Sequence, residues 1–198
     1  MKDNFEEKAK EWDSKNLRVQ NAHTIAKAII EDVTLNKDMH LMDFGVGTGL
    51  LGFEILEYVK SMDGVDTSKG MLEKLEDKNS SSMYIKPICQ DIIENPLDTK
   101  YDGIISSMTL HHVEHLAQFF TTIKNNLNEN GFIAIADLMS EDGTFHSDNE
   151  GVHHFGFDEK ELSTIIKDSG FRDIEFKHIS TINKPHKNFD IFLLTAKV

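Results

Sequence analysis

A glycine-rich turn between a short apolar run and a helical pattern constrains the fold of this chain more than any other feature. Residues 39–44 form the apolar run, Gly45, Gly47 and Gly49 follow, and leucine and isoleucine then recur at helical spacing over residues 50–59. Glycine adopts left-handed conformations and lets backbone N–H groups approach a ligand closely. The pattern predicts a strand, a tight turn and a helix, the unit that opens a nucleotide-binding α/β domain.

Strands and helices are expected to alternate along the rest of the chain. Such alternation implies an open, mostly parallel sheet, and the last two strands should be antiparallel because no helix separates them. Further strands are predicted at residues 83–88, 101–108, 132–138, 171–180 and 189–198, and one more is predicted to end near Val65. Helices are predicted over residues 5–15 and 22–33, from Ser68 onward, from Leu116 to near Gly131, and from Asp158 to Gly170.

Composition limits the classes of protein and of partner. The chain has 198 residues, 39% of them hydrophobic, which suits one domain with a sizeable core. A net charge of −13 without a basic patch disfavours nucleic acid. The single cysteine, Cys89, excludes an internal disulfide and fits a reducing compartment. With no apolar signal region or membrane-length run, we expect a cytoplasmic protein without a membrane partner, whose oligomeric state stays open.

An acidic residue follows the second predicted strand at the distance that a nucleoside site requires. Asp66 lies 19 residues after Gly47, where a carboxylate can accept both hydroxyls of a ribose. The structural alternative is a plain strand-to-helix turn beside a surface aspartate. The nucleoside interpretation leaves two chemistries, a nicotinamide dinucleotide and S-adenosylmethionine.

Five segments of the chain resemble the sequence motifs of one known family. Residues 41–49 resemble the first motif of class I S-adenosylmethionine-dependent methyltransferases, in which an acidic residue, here Asp43, precedes the glycines. Residues 64–68 with Met71 resemble the second motif, residues 90–92 the third, residues 101–113 the fourth, and residues 126–133 the turn before the fifth strand, which here reads Glu-Asn-Gly where relatives commonly have Pro-Gly-Gly.

The resemblance implies a fold and a set of cofactor-binding residues. The fold is a single-domain Rossmann-like sheet of seven strands in the order 3-2-1-4-5-7-6, with strand 7 antiparallel and helices on both faces. It covers residues 21–198, and residues 1–20 form a helical extension that is a candidate lid. Asp66 would hold the ribose, and Asp91 would contact the adenine amino group beside Ile92. The full cofactor set is Asp43, Gly45, Gly47, Gly49, Asp66, Thr67, Met71, Asp91, Ile92 and Ser107.

Charge supports S-adenosylmethionine independently of the resemblance. Its sulfonium is a cation, whereas a pyrophosphate is an anion. The carboxylates of Asp43, Asp66 and Asp91 attract the cation and repel the anion. A nicotinamide-dependent oxidoreductase would need a Tyr–Lys pair or an equivalent, and none of the three tyrosines has a lysine four residues on. A protein that kept the fold and binds cofactor without catalysis stays as a second alternative.

Histidines after the fourth and fifth strands are the candidate groups on the acceptor side. His111 or His112 could act as general base for a small-molecule acceptor, although both could instead be structural. Metal binding is a rival hypothesis, since His111 and His115 have the i, i+4 spacing of a ligand pair. The cluster continues with His146, His153 and His154 beside Asp137 and Asp148, but the fold needs no metal, so none is expected.

The acceptor pocket is expected beside the long loop that follows the fifth strand. Residues 140–157 are polar and unusually long for a connection, which is typical of functional loops. We therefore assign Asp137 and His146 to the substrate side. Trp12, in the N-terminal extension, is also assigned to the substrate side, as a candidate aromatic lid over the cofactor. The alternative is that Trp12 belongs to an ordinary helix that packs on the edge of the sheet.

Overall fold

One seven-stranded sheet organises the protein, whose computed structural model describes Ala9, residues 12–14 and residues 16–198. The strand order is β3-β2-β1-β4-β5-β7-β6. The first five strands pair in parallel, whereas β7 runs antiparallel to both β5 and β6. The predicted order and direction are therefore confirmed. The strands are β1 (His40–Phe44), β2 (Ser61–Asp66), β3 (Ile85–Cys89), β4 (Tyr101–Ser107), β5 (Leu127–Leu138), β6 (Arg172–Asn183) and β7 (Asn188–Lys197).

Helices connect the strands, and two of them begin at the predicted caps. The Ser68 hydroxyl accepts the N–H of Met71 at 3.3 Å, and the Asp158 carboxylate accepts the N–H groups of Lys160 and Glu161. The predicted helix over residues 5–15 lies mostly outside the described residues. The helices are α1 (Asn16–Asp32), α2 (Leu50–Leu56), α3 (Lys69–Lys78), α4 (Leu116–Asn125) and α5 (Glu159–Asp168), with one 3-10 turn at Leu110–His112.

The core has two parts, one on each face of the sheet. Leu41 and Met42 are neighbours in β1, and both are fully buried, but they enter different clusters because side chains alternate across a strand. Leu41 packs with residues of α1 and α2, such as Ile25, and Met42 packs with residues of α4, such as Phe119. Helices therefore cover both faces, as predicted.

The largest error of the sequence analysis lies between α4 and β5. The helix ends at Asn125 instead of near Gly131, and β5 begins at Leu127. The buried Asn126 side chain explains the early end, because it donates to the carbonyls of Leu97 and Thr99 at 2.7 and 2.9 Å. Elsewhere the differences are a few residues at element ends, such as an earlier start of the first described helix at Asn16.

The described part of the chain contains no helix that combines the length and the apolar character of a membrane span.

Candidate active site

The glycine turn has the conformation that the sequence predicts. Gly45, Gly47 and Gly49 have φ of 68°, 53° and 83°, in the left-handed region. The Gly45 N–H donates to the carbonyl of Val65 at 2.8 Å, which ties the turn to the end of β2. A Cβ atom at Gly47 would have no heavy atom of the described residues within 4 Å, so among these residues this glycine borders open space at the carboxyl ends of the strands.

Asp66 is the link between the glycine turn and the start of α3. Its Oδ2 accepts the N–H of Gly47 at 2.8 Å, and its Oδ1 accepts the N–H of Ser68 at 2.8 Å. A carboxylate oxygen can accept more than one hydrogen bond, so both oxygens can also accept ribose hydroxyls. The spacing of 19 residues therefore corresponds to a direct contact between two segments of one site.

Asp43 is a buried carboxyl beneath the glycine turn. It is 1% exposed, and its Oδ2 has no hydrogen-bond partner among the described residues. Burial raises the pKa of Asp43 well above its ordinary value, and the nearby charge of Asp66 raises the pKa further. A cationic ligand at this edge would favour the ionised form of Asp43.

We expect the stability of the ligand-free protein to depend on pH because the pKa of the buried Asp43 carboxyl is raised. Folded Asp43 holds its proton at pH values where the unfolded chain, with a pKa near 3.8, has released it. The free energy of unfolding therefore falls as the pH rises from the unfolded pKa to the folded pKa of Asp43. It falls by at most about 1.4 kcal/mol per pH unit. Asp43→Asn removes this loss. Urea unfolding of both proteins from pH 4 to pH 8 should show the variant's advantage growing as pH rises above the unfolded pKa, and a difference that stays constant from pH 4 upward would contradict the assignment.

The remaining predicted cofactor residues surround the same strand ends. Asp91 follows β3 and accepts the N–H of Ile93 through Oδ1 at 2.9 Å, which shapes the turn after that strand. Thr67 is exposed and Ser107 is partly buried at the end of β4. Met71 and Ile92 are both at most 2% exposed, so each lies within the packed interior next to the site.

The segment after β4 lies against the glycine turn. Thr109 donates to the carbonyl of Gly45 at 3.4 Å, and a Cβ on Gly45 would come within 2.2 Å of the Thr109 side chain. Met108 has φ of 56°, a conformation that costs a non-glycine residue about 1–3 kcal/mol. The chain thus turns sharply between the glycine loop and the histidines that follow, a contact that no sequence signal indicated.

His111 and Asp137 form a buried pair at the ends of β4 and β5. Nδ1 of His111 lies 2.7 Å from Oδ1 of Asp137, and the two side chains are 1% and 0% exposed. Burial opposes charge on His111, but the charge of Asp137 and its hydrogen bond raise the pKa of His111 above its ordinary value. Burial likewise opposes ionisation of Asp137, yet His111 and the N–H of Leu138 hold its pKa below the ordinary value.

His112 and His146 complete a cluster around His111. Nε2 of His146 lies 3.1 Å from Nε2 of His111, and Nδ1 of His112 donates to the Gly151 carbonyl at 2.7 Å. Burial and the neighbouring rings of His111 and His112 lower the pKa of His146 to about 4. Glu141 positions His146, because its carboxylate accepts the N–H groups of residues 144 and 145 and so fixes the turn.

The structure contradicts the predicted metal-ligand pairing of His111 with His115, whereas the catalytic role of His111 or His112 stays a prediction. His115 precedes α4 and is exposed, with its ring 70% accessible, so His111 and His115 are not a pair on one helix. His154 donates through Nε2 to the Val113 carbonyl at 2.9 Å. Asp148 instead accepts the N–H of Glu150 within its own loop. His146 lies beside His111, which pairs with Asp137, and the assignment of His146 and Asp137 to the substrate side stays a prediction.

Residues 12–14 lie against the glycine turn and the end of α3. The Asp13 carboxylate accepts the Thr48 hydroxyl at 2.6 Å and the Lys78 ammonium at 2.6 Å. The Trp12 ring stacks under the Arg18 guanidinium, 3.6 Å from its centroid. The N-terminal segment is therefore near the cofactor side of the site, and a lid role for Trp12 stays a prediction.

A second buried polar cluster lies at the opposite, amino ends of the strands. The Tyr101 hydroxyl donates to Asp63 at 3.0 Å, and His40 Nε2 lies 3.1 Å from the same carboxylate. Burial and the charge of Asp63 raise the pKa of Tyr101. Because ligands of such sheets bind beyond the carboxyl ends, this cluster stabilises the core and takes no part in the site.

Comparison with known proteins agrees with the fold and with the glycine site. A family model described as a methyltransferase domain matches residues 42–135, from β1 through most of β5. An uncharacterized methyltransferase of Schizosaccharomyces pombe is 26% identical over 155 residues, which are 69% of this chain and 55% of that protein. The chain thus spans about half the length of this curated relative.

Solved structures share the fold at low sequence identity. The methyltransferase in a complex with the Haloferax volcanii Trm112 methyltransferase activator superposes with a TM-score of 0.82 at 15% identity, covering 100% of this chain and 98% of that one. Phosphoethanolamine N-methyltransferase 2 of Haemonchus contortus, in complex with S-adenosyl-L-methionine, gives 0.70 at 16% identity, covering 96% and 56%.

The sheet order and the glycine turn define a Rossmann-like methyltransferase fold. The family match over residues 42–135 and the methyltransferase relatives agree with this fold and support a class I S-adenosylmethionine-dependent methyltransferase.

Proposed function

We propose that the protein binds S-adenosylmethionine at the glycine turn and transfers its methyl group to a small-molecule acceptor held beside the histidine cluster. The observation that carries the proposal is the pairing of Asp66 with the Gly47 N–H, next to a glycine whose Cβ position is open. This arrangement supplies a ribose acceptor and room for a ligand against the backbone at the same point.

The residues present fit the charge of this cofactor. Asp43, Asp66 and Asp91 put three carboxyl groups at the strand ends, and one buried oxygen of Asp43 has no hydrogen-bond partner among the described residues. A sulfonium and an ammonium group would satisfy this negative environment, whereas a pyrophosphate would be repelled. We assign ribose binding to Asp66, adenine binding to Asp91 with Ile92, and the methionine portion to the glycine turn and Asp43.

The acceptor would lie between the ends of β4 and β5. S-adenosylmethionine, when bound, supplies an electrophilic methyl group, and most of the acceleration comes from positioning and exclusion of water. Nδ1 of His111 is committed to Asp137, so its Nε2 is the atom that can take a proton from the acceptor. His112, His146 and Trp12 would shape the acceptor pocket around it.

The tyrosines give the nicotinamide alternative no support. Tyr101, the buried tyrosine, donates its hydroxyl to Asp63 at the amino ends of the strands, remote from the glycine turn. Tyr58 and Tyr84 are exposed on the surface. None of the three can serve as the acid or base of a hydride transfer at this edge of the sheet.

Two measurements separate catalysis from cofactor binding alone. Calorimetric titration with S-adenosylmethionine should show one site, with the reaction product S-adenosylhomocysteine competing. Incubation with panels of hydroxyl, thiol and amine acceptors should then release S-adenosylhomocysteine for at least one class. Binding without release for every class would favour the non-catalytic alternative. A cytoplasmic location and the absence of a nucleic-acid partner belong to the same proposal.

Asp66→Ala should weaken S-adenosylmethionine binding by at least about 10–100-fold, since each lost charge-assisted hydrogen bond costs up to about 1.5–3 kcal/mol. The variant loses the anchor of the Gly47 N–H as well as the ribose acceptor. Asp77→Ala is the matched control, because it removes the same charge from the exposed face of α3. Equal affinities of the two variants in calorimetry would refute the ribose assignment.

A further inference from the structure

Three imidazole rings converge where the ends of β4 and β5 meet the loop after β5. His111, His112 and His146 each offer one ring nitrogen, and these nitrogens all lie within 4.8 Å of one another. The two Nε2 atoms of His111 and His146 are 3.1 Å apart. Two ligands of a tetrahedral ion, at bond lengths of about 2.0–2.1 Å, are about 3.3 Å apart, so this separation suits a shared cation.

The hydrogen bonds of two of the rings fix the tautomer that a metal ion needs. Nδ1 of His111 faces the carboxylate of Asp137, and Nδ1 of His112 faces the carbonyl of Gly151, both at 2.7 Å. Both oxygens are acceptors, so each Nδ1 carries the hydrogen and each Nε2 carries the lone pair. A buried carboxylate that orients a histidine from behind is the usual outer partner of a metal-bound imidazole.

We propose that His111, His112 and His146 bind one divalent transition-metal ion of the zinc type, with Asp137 as the carboxylate behind His111. Three neutral nitrogen donors favour zinc, cobalt or nickel over magnesium or calcium, which prefer oxygen. The one cysteine, Cys89, is exposed at the end of β3 and is not in the group. Three protein ligands leave a coordination position open for a further ligand.

The place of the cluster gives the ion a role that rests on the proposed methyl transfer. His111 is two residues beyond Thr109, which contacts the glycine turn at Gly45. With Nε2 of His111 bound to the ion, that ring no longer acts as the base. The ion takes over its role, because a bound cation lowers the pKa of an acceptor hydroxyl or thiol, which then loses its proton to water. The resulting anion would form a bond to the methyl carbon, while the carbon–sulfur bond breaks and its electron pair stays on sulfur. Alcohols, phenols and thiols are therefore the acceptor classes that the site favours.

Metal binding itself is testable without donor or acceptor. The full chain is treated with a chelator, dialysed and titrated with Zn²⁺ and, separately, Mg²⁺ in a calorimeter. We expect one zinc site in the micromolar range or tighter and no magnesium site. His146→Ala and His112→Ala should weaken zinc binding at least about 100-fold, and Asp137→Asn about 10–100-fold.

The control is His153→Ala, which removes an exposed histidine from the same loop and should leave zinc binding unchanged. Co²⁺ in place of zinc should give visible absorption bands of a nitrogen-ligated tetrahedral ion in the wild type and in His153→Ala, but not in His146→Ala. Circular dichroism verifies that each variant is folded. Wild-type protein without a zinc site, or equal zinc affinity in His146→Ala and His153→Ala, would overturn the proposal whatever the variants' stability.

Two further outcomes keep this proposal separate from the proposed function. Titration of the same samples with S-adenosylmethionine measures the donor site alone, so zinc binding without donor binding would refute only the methyltransferase proposal. Donor binding without zinc binding would refute only the metal site. Once an acceptor is found, chelation should abolish its methylation and Zn²⁺ should restore it; methylation that survives chelation would overturn the catalytic role of the ion.

Discussion

Gly47→Val should abolish measurable binding of S-adenosylmethionine while the protein stays folded. No heavy atom in the part of the chain that the structure describes lies within 4 Å of the Gly47 Cβ position, so the isopropyl group would project into the space where the cofactor is proposed to lie. The left-handed φ of 53° adds a backbone cost of about 1–2 kcal/mol for any other residue. Calorimetry with the cofactor, beside thermal unfolding of the ligand-free protein, measures both effects.

Backbone strain has to be separated from the obstruction of the site. Gly170 also has a left-handed φ, of 88°, but it follows α5, and a Cβ there would meet only the end of the flexible Lys124 side chain. Gly170→Val should therefore lower stability by a similar amount and leave cofactor affinity unchanged. If Gly47→Val binds the cofactor normally, the glycine turn is only a connection between β1 and α2.

The geometry of the glycine turn could be predicted from the sequence because the signals for it are local. Glycines, a strand before them and an acid 19 residues later specify a turn and its partner with few alternatives, and the bond from the Gly47 N–H to Asp66 is the direct result. The antiparallel direction of β7 could also be predicted from the sequence, because the connection of four residues between β6 and β7 is too short for a crossover helix.

Non-local contacts explain what the sequence did not reveal. Leu127 continues the helical spacing of α4, but the buried Asn126 amide binds two carbonyls from the segment before β4 and ends the helix first. His146 lies 35 residues along the chain from His111, and its place beside His111 depends on the turn that Glu141 fixes. The hydrophobic periodicity of a sequence indicates which residues are buried. It does not indicate which loop folds back over the end of a strand.

His111→Gln should lower the rate of methyl transfer about 10²–10⁴-fold, with cofactor affinity nearly constant. Glutamine can still donate a hydrogen bond to the buried Asp137, but it can neither take a proton near neutral pH nor bind a metal ion through an imidazole nitrogen. Steady-state kinetics with an acceptor from the panels, beside calorimetry with the cofactor, tests this expectation. His153→Gln changes an exposed histidine of the loop after β5; it is the control and should keep full activity.

A parallel loss of cofactor binding in His111→Gln would make His111 structural, and unchanged turnover would mean that the acceptor arrives already deprotonated. Zinc binding by the same variant then distinguishes the two roles of the imidazole: lost turnover with retained zinc affinity identifies a base, and loss of both identifies a ligand.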